Sequence, residues 1–167
     1  GWEIAGVRST IIVRDVNLRH TGAGRAVTVQ LEALDIDDAD TVRTLKRLHD
    51  SQISWCEYAD EAFLRYLVNW RVVGHVARDD GGEIIGYALV DKAGTSIVEL
   101  VADDADVACA IVRALIGSEG GPDTFAVNTD HLPASFVRAL SAFAEGSTAM
   151  RSGNWQIFDW PAVTGAA

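Results

Sequence analysis

Between Val72 and Leu115 the spacing of apolar residues changes in a way that marks out a folding unit. Val72 to Arg78 is rich in β-branched residues, and the Asp79-Asp80-Gly81-Gly82 cluster supplies the positive-φ positions that a tight hairpin needs. Ile84 to Val90 is a second apolar run, Lys92-Ala93-Gly94 turns the chain again, and Ile97 to Val101 reads as a third strand. The period then lengthens. Val107, Ile111, Val112 and Leu115 repeat at helical spacing, and Asp residues stand where a helix would cap. The pattern predicts a strand meander that feeds directly into a helix.

Upstream, Trp2 to Val16 reads as extended, with Ser9 to Val13 as its strand, and Asn17 to Gly24 is a polar, Gly-containing linker. Ala26 to Leu34 alternates apolar and polar as a half-buried strand does. Asp35 to Asp40 suits a helix N-terminus, where the dipole favours negative charge, and Val42, Leu45, Leu48 and Ile53 mark one face of that helix. A second helix is predicted over Asp60 to Trp70, with Phe63, Leu64, Leu67 and Val68 inward. Downstream, Gly117 to Pro122 is a loop and Thr124 to Asn128 a short strand. A helix begins at Leu132-Pro133, since Pro suits a first turn, and runs to about Ala144 with Phe136, Val137, Leu140 and Phe143 inward. Thr148 to Arg151 and Trp155 to Trp160, joined by Ser152-Gly153-Asn154, close the chain as a hairpin.

A chain of 167 residues is large enough for one domain with a real core, and 49% hydrophobic with 23% charged residues places it in the soluble globular class. The net charge of -10 argues against nucleic acid or an anionic membrane surface as partner. It is compatible with a cationic substrate such as an amine, and equally with an ordinary solvated surface. Cys56 and Cys109 read as free, buried thiols in a reducing cytoplasm. No apolar run approaches the ~18 residues of a membrane span, and no signal-peptide pattern opens the chain. The first residue is Gly and the one methionine is Met150, which fits either a removed initiator or a piece of a longer protein.

His20, His49 and His75 are too scattered for a metal site, no Cys/His spacing matches zinc, and Asp103, Asp104 and Asp106 lack the spacing of a calcium loop. No metal is expected. His131, before Leu132-Pro133, suits either a ligand contact at a helix start or an ordinary loop position. Trp55, Tyr58 and Trp70 suit either core packing or the wall of a pocket between the first two helices and the sheet.

The order of elements, β-α-α-β-β-β-α-β-α-β-β from Ala26 to Trp160, resembles the GNAT superfamily of acetyl-CoA-dependent N-acetyltransferases. In that family the fourth strand and third helix commonly read like ELAVDPEYRGRGIGRAL; here Glu99 to Leu115 reads ELVADDADVACAIVRAL, and Gly86 to Val90 (GYALV) looks like the preceding strand. The resemblance implies an α/β (α+β) fold with a mixed, mostly antiparallel sheet and helices on both faces. It implies acetyl-CoA as cofactor, a small-molecule amine as acceptor, and Leu100, Val101, Ala102, Val107, Ala108 and Ala110 at the cofactor-binding positions. Glu99 falls where some members carry a general base, so it is the catalytic candidate; a paired or solvated strand residue is the alternative.

The sequence departs from the family where the cofactor binds. The family's Arg/Gln-x-x-Gly-x-Gly/Ala loop wraps a pyrophosphate with backbone N–H groups at a helix N-terminus. Here Val107 takes the Arg position and Ala110 and Val112 the later Gly positions. Asp103, Asp104 and Asp106 crowd the helix start, with no Lys or Arg between Lys92 and Arg113. Carboxylates there compete with a phosphate and repel it. The family's Tyr on the fourth helix, a general acid, is replaced by Ser141 or Ala142, and general-acid work depends on pKa and reach. Gly1 to Gly6 resembles the end of a preceding domain of the same kind, so 1–24 reads as that end plus a linker, or as an extension pairing with a sheet edge, and 25–167 as the domain itself. Tandem members pair two such domains, and one often does not catalyse. The expectation is a degenerate half that supplies scaffold and substrate pocket, partnered by a preceding domain or a homodimer mate; the alternative is a non-catalytic interaction or ligand-sensing domain.

Overall fold

The structure is a computed structural model that describes residues 8–14, 27–52, 59–69, 72–117, 124–130, 132–142 and 144–150. Seven strands make one sheet: β1 (Arg8–Arg14), β2 (Gln30–Ala33), β3 (Val72–Arg78), β4 (Ile84–Asp91), β5 (Ser96–Ala102), β6 (Thr124–Asn128) and β7 (Ala144–Met150). Their spatial order is β2-β3-β4-β5-β6-β1-β7. Every pairing is antiparallel except β5 with β6, so the sheet is mixed and mostly antiparallel. Four described helices, α1 (Ala39–Gln52), α2 (Asp60–Asn69), α3 (Ala105–Ile116) and α4 (Ala134–Ser141), complete the architecture.

The meander follows from its turns. Gly82 (φ 83°) and Gly94 (φ 69°) take the left-handed conformation the two reversals require. Asp79 Oδ1 accepts from the Gly81 and Glu83 amides, each at 2.9 Å. Asp91 Oδ1 likewise accepts from Thr95 N at 2.7 Å and Ser96 N at 3.0 Å. Burial alone would raise the Asp91 pKa; these hydrogen bonds outweigh it and hold the carboxyl below its ordinary value.

Strand alternation then sorts side chains to two cores. Tyr87 and Leu89 of β4 join Val42 and Leu45 of α1 and Phe63 and Leu67 of α2 on one face. Ala88 and Val90 join α3, α4 and the β6 residues Phe125 and Val127 on the other. Gly86 permits the close approach of α3, since a Cβ there would stand 2.8 Å from Ile111 Cδ1. The helix α3 buries residues around most of its circumference, from Val107 to Val112 and at Leu115 and Ile116.

Several expectations need correction. Val68 is 52% exposed, because at about 100° per residue it lies roughly 140° round the helix from Phe63. The fourth helix ends at Ser141, and Ala144 already opens β7, so that strand starts four residues before the expected Thr148. The Ala142 amide bonds back to Ala139 and Leu140 carbonyls, tightening the last turn. Of the alternating stretch Ala26 to Leu34, the strand comprises Gln30 to Ala33. The N-terminal strand β1 lies inside the sheet, hydrogen-bonded to β6 on one side and β7 on the other, and it buries Ile11 and Val13 in the α3-side core. Ile53, Trp55, Cys56, Tyr58, Trp70, His20, His131, Phe143 and Trp155 to Trp160 lie outside the described residues.

Candidate functional site

The site is built on β5. Its pairing with β4 runs Gly86↔Ala102, Tyr87↔Val101, Ala88↔Leu100, Leu89↔Glu99, then jumps to Val90↔Ile97. Val98 is therefore an inserted residue, a β-bulge. A bulge reverses the in-out parity of everything beyond it. Ile97 packs in the α3-side core, and without the bulge Glu99 would share that face; with it, Glu99 turns to the α1/α2 face beside Tyr87. There the Tyr87 hydroxyl donates to Glu99 Oε1 at 2.6 Å, in a place where the two residues are 1% and 4% exposed. A charge-assisted bond of this length satisfies part of a buried carboxylate's demand. Glu99 is thus paired across the strands with a phenol.

The second feature is a split in the sheet. β5 and β6 pair in parallel at Ser96↔Ala126 and Ile97↔Val127, and Asn128 Nδ2 reaches Val98 O at 3.3 Å. Beyond that point, among the described residues, β5 is paired with β4 alone. The Asp103 amide donates to Ile85 O, which sets the phase of the ladder: Ala102 N–H and C=O point away from β4, into the split. They meet the carboxamide of Gln52, the last residue of α1. Its Nε2 donates to Ala102 O, and its Oε1 accepts from Ala102 N at 3.4 Å.

The third feature is the turn from β5 into α3. Asp104 is the N-cap: its backbone is extended (φ -149°, ψ 178°) and its Oδ1 accepts from Val107 N at 2.8 Å. Burial, then the neighbouring Asp104 charge, raises the Asp103 pKa. Ala108 and Ala110 are buried in the core, and Val112 is fully enclosed at the last of the glycine positions. Of the cofactor-position residues, Leu100, Ala102, Val107 and Ala108 therefore share the α3-side core, Val101 faces α1 and α2, and Ala110 is buried. The residues present do not fit a pyrophosphate: the amide of Val107 is taken by a carboxylate, and two more carboxylates flank it.

On α4, Ser141 Oγ donates to Val137 O at 2.6 Å and so is tied to its own helix. Among the described residues no group of three or more His, Cys, Asp and Glu side chains is placed to hold a metal ion, and no helix is long and apolar enough to cross a membrane. His75 is half-buried, and burial lowers its pKa. His49 is a core residue, 1% exposed, with its ring tilted against Phe63 at 5.3 Å between centroids. Cys109 sits in the core of α3, where burial pushes its thiol up to about 11.

Sequence reasoning passed over Gln52 and the Tyr87–Glu99 pair. The GYALV stretch contains Tyr87, but nothing local shows which face Glu99 takes, because the bulge decides it. Gln52 lies 50 residues from its partner.

No protein-family model matches the chain, and no curated protein is similar to it in sequence. Among solved structures it resembles a GCN5-related N-acetyltransferase from Kribbella flavida (TM-score 0.56, 19% identity), covering 90% of this chain and 38% of that one. It also resembles a conserved protein from Enterococcus faecalis V583 named as a probable N-acyltransferase (TM-score 0.59, 12% identity, 90% and 39%). A second Kribbella flavida GCN5-related N-acetyltransferase matches at TM-score 0.51 and 11% identity, over 92% of this chain and 61% of that one. The chain therefore spans less than two thirds of each of these proteins, and about two fifths of the first two. With the mixed seven-stranded sheet, the strand split and the helices on both faces, these likenesses lead to one conclusion: the chain has the fold of the GCN5-related N-acetyltransferases.

Proposed function

We propose that this chain is the scaffold-and-pocket half of an acetyl-CoA-dependent N-acyltransferase that acts on an amine, with the cofactor held by a preceding domain of the same fold. The observation that carries the reading is the Asp104 cap on Val107 N, flanked by Asp103 and Asp106 at the helix start where the family binds a pyrophosphate. A helix start whose Val107 amide is already taken by a carboxylate offers an anion one donor fewer and a less favourable field. The greater length of the similar solved structures is consistent with a second domain. The part this chain retains is structural: β4 and β5 present the Tyr87–Glu99 pair beneath α1 and α2, the side on which an acceptor pocket would be walled.

The test is turnover. The chain is incubated with acetyl-CoA and a panel of primary amines, and released CoA thiol is followed against the uncatalysed rate. No release above background is expected. Sustained turnover that depends on the amine would overturn the reading and make the chain an enzyme with another mode of cofactor binding.

A further inference from the structure

We infer that Gln52 is a built-in stopper of the β5–β6 split. The inference rests on the reading above, in which the split no longer serves a cofactor, and names a second side chain responsible. Three observations meet here. The N–H and C=O of Ala102 point away from β4, as the phase of the ladder requires. β6 no longer flanks β5 at that level, since their pairing ends at Ile97↔Val127 and Asn128, the last residue of β6, reaches only to Val98 O. A carboxamide from the opposite side of the chain fills the vacated position, with donor to acceptor and acceptor to donor.

A primary carboxamide offers one face with a carbonyl and an N–H, the same pair that a secondary amide in an extended chain presents to a strand edge. Gln52 therefore occupies the backbone positions to which an amide-bearing linear molecule, such as a pantetheine arm, would add as an extra strand. Being attached to α1, it competes at the effective concentration of an intramolecular ligand. An amide chain must displace both contacts before it binds, and its apparent affinity falls by the fraction of molecules in which Gln52 has let go. A pair of neutral hydrogen bonds to backbone sets that fraction at roughly one in ten.

Gln52→Met keeps the length and volume of the side chain without its hydrogen bonds, and Gln52→Ala removes it; since Gln52 is partly exposed at a helix end, both are expected to fold. Two readouts are taken on the chain and on both variants. Hydrogen exchange of the Ala102 amide, without ligand, reports the contact itself. Titration with pantetheine, followed by amide chemical shifts, reports the competition; pantetheine lacks the nucleotide and pyrophosphate and so does not meet the carboxylates at the start of α3. Faster Ala102 exchange with pantetheine binding about tenfold tighter in both variants is expected. Unchanged exchange would show that Gln52 does not hold Ala102 in solution, and would overturn the inference. Faster exchange with pantetheine binding unchanged, or absent throughout, would make Gln52 a helix-to-strand tie and overturn it too. Neither negative result touches the proposed function, which is decided with acetyl-CoA.

Discussion

Replacing Gly86 with alanine places one methyl group at the most crowded point between β4, β5 and α3. The added Cβ would stand 2.7 Å from Val101 O, 2.8 Å from Ile111 Cδ1 and 3.1 Å from Ala102 Cα. The Ile111 methyl can move by rotation. Val101 O and Ala102 Cα cannot, because they belong to a strand held to β4 by the ladder that includes Gly86↔Ala102 and Tyr87↔Val101. Relief requires opening that ladder or lifting α3 off the sheet, which loosens the contacts of buried Ile111 and Ala108 as well. Overpacking of this kind costs about 1–3 kcal/mol, and the upper half of that range is expected where two of three clashing atoms are backbone. For a chain of this size, with a urea m-value of about 2 kcal/mol/M, the midpoint falls by roughly 1 M at unchanged m. Gly81→Ala is the control: its Cβ would meet Asp79 Oδ1 at 3.2 Å in an exposed turn, and a loss below about 1 kcal/mol is expected. Equal stability of Gly86→Ala and the parent chain would refute the close packing of α3 on β4, and with it the geometry that aims Ala102 into the split.

Three further outcomes follow from particular residues. Tyr87→Phe removes the hydroxyl that donates to buried Glu99 and is expected to cost about 1.5–3 kcal/mol in urea denaturation, the range for a hydrogen bond to a charged group; a loss under about 0.5 kcal/mol would contradict the pair. Asp91 has a pKa below its ordinary 3.8 in the folded chain, so its contribution is fully present above 3.8 and is lost as pH falls through the folded value. The stability advantage of the parent over Asp91→Asn should shrink across that acid window, and an advantage that grew on acidification would refute the turn's hydrogen bonding. In a Cys56→Ser background, buried Cys109, with its thiol pushed up to about 11, should resist a thiol reagent at pH 8 until the chain unfolds, and rapid labelling of folded protein would contradict its place in the core of α3.

What could be read from the sequence was local. The meander announced itself because its turns demand particular residues: Gly82 and Gly94 both adopt the positive φ expected of the Asp-Asp-Gly-Gly and Lys-Ala-Gly stretches. The third helix was readable because Val107, Ile111, Val112 and Leu115 all face the core. The cap was readable too, down to a carboxylate at the start of α3, because N-caps are short-range chemistry. Pairing between distant segments leaves no such local mark. Nothing in Arg8 to Arg14 says that it lies between β6 and β7, since a strand built on a short Ile-Ile-Val run fits many neighbours. The bulge at Val98 has no residue signature in Ser96 to Ala102, yet it decides whether Glu99 faces α3 or Tyr87. Gln52 ends an amphipathic helix of whose buried positions Val42 and Leu45 were legible, Thr41 and His49 not, and its role depends on where that helix ends relative to β5. The features that the sequence leaves unread are thus the non-local ones.

The most direct test of the account is calorimetric titration of acetyl-CoA and of CoA into the chain, at low and at moderate salt. If the carboxylates at the start of α3 and Gln52 on Ala102 close the cofactor positions, no saturable heat should appear up to about 1 mM ligand at either ionic strength, an affinity weaker than about -4 kcal/mol. Saturable binding at a Kd of roughly 100 μM or tighter would contradict it, and would show that the capped, acidic helix start still accepts a pyrophosphate.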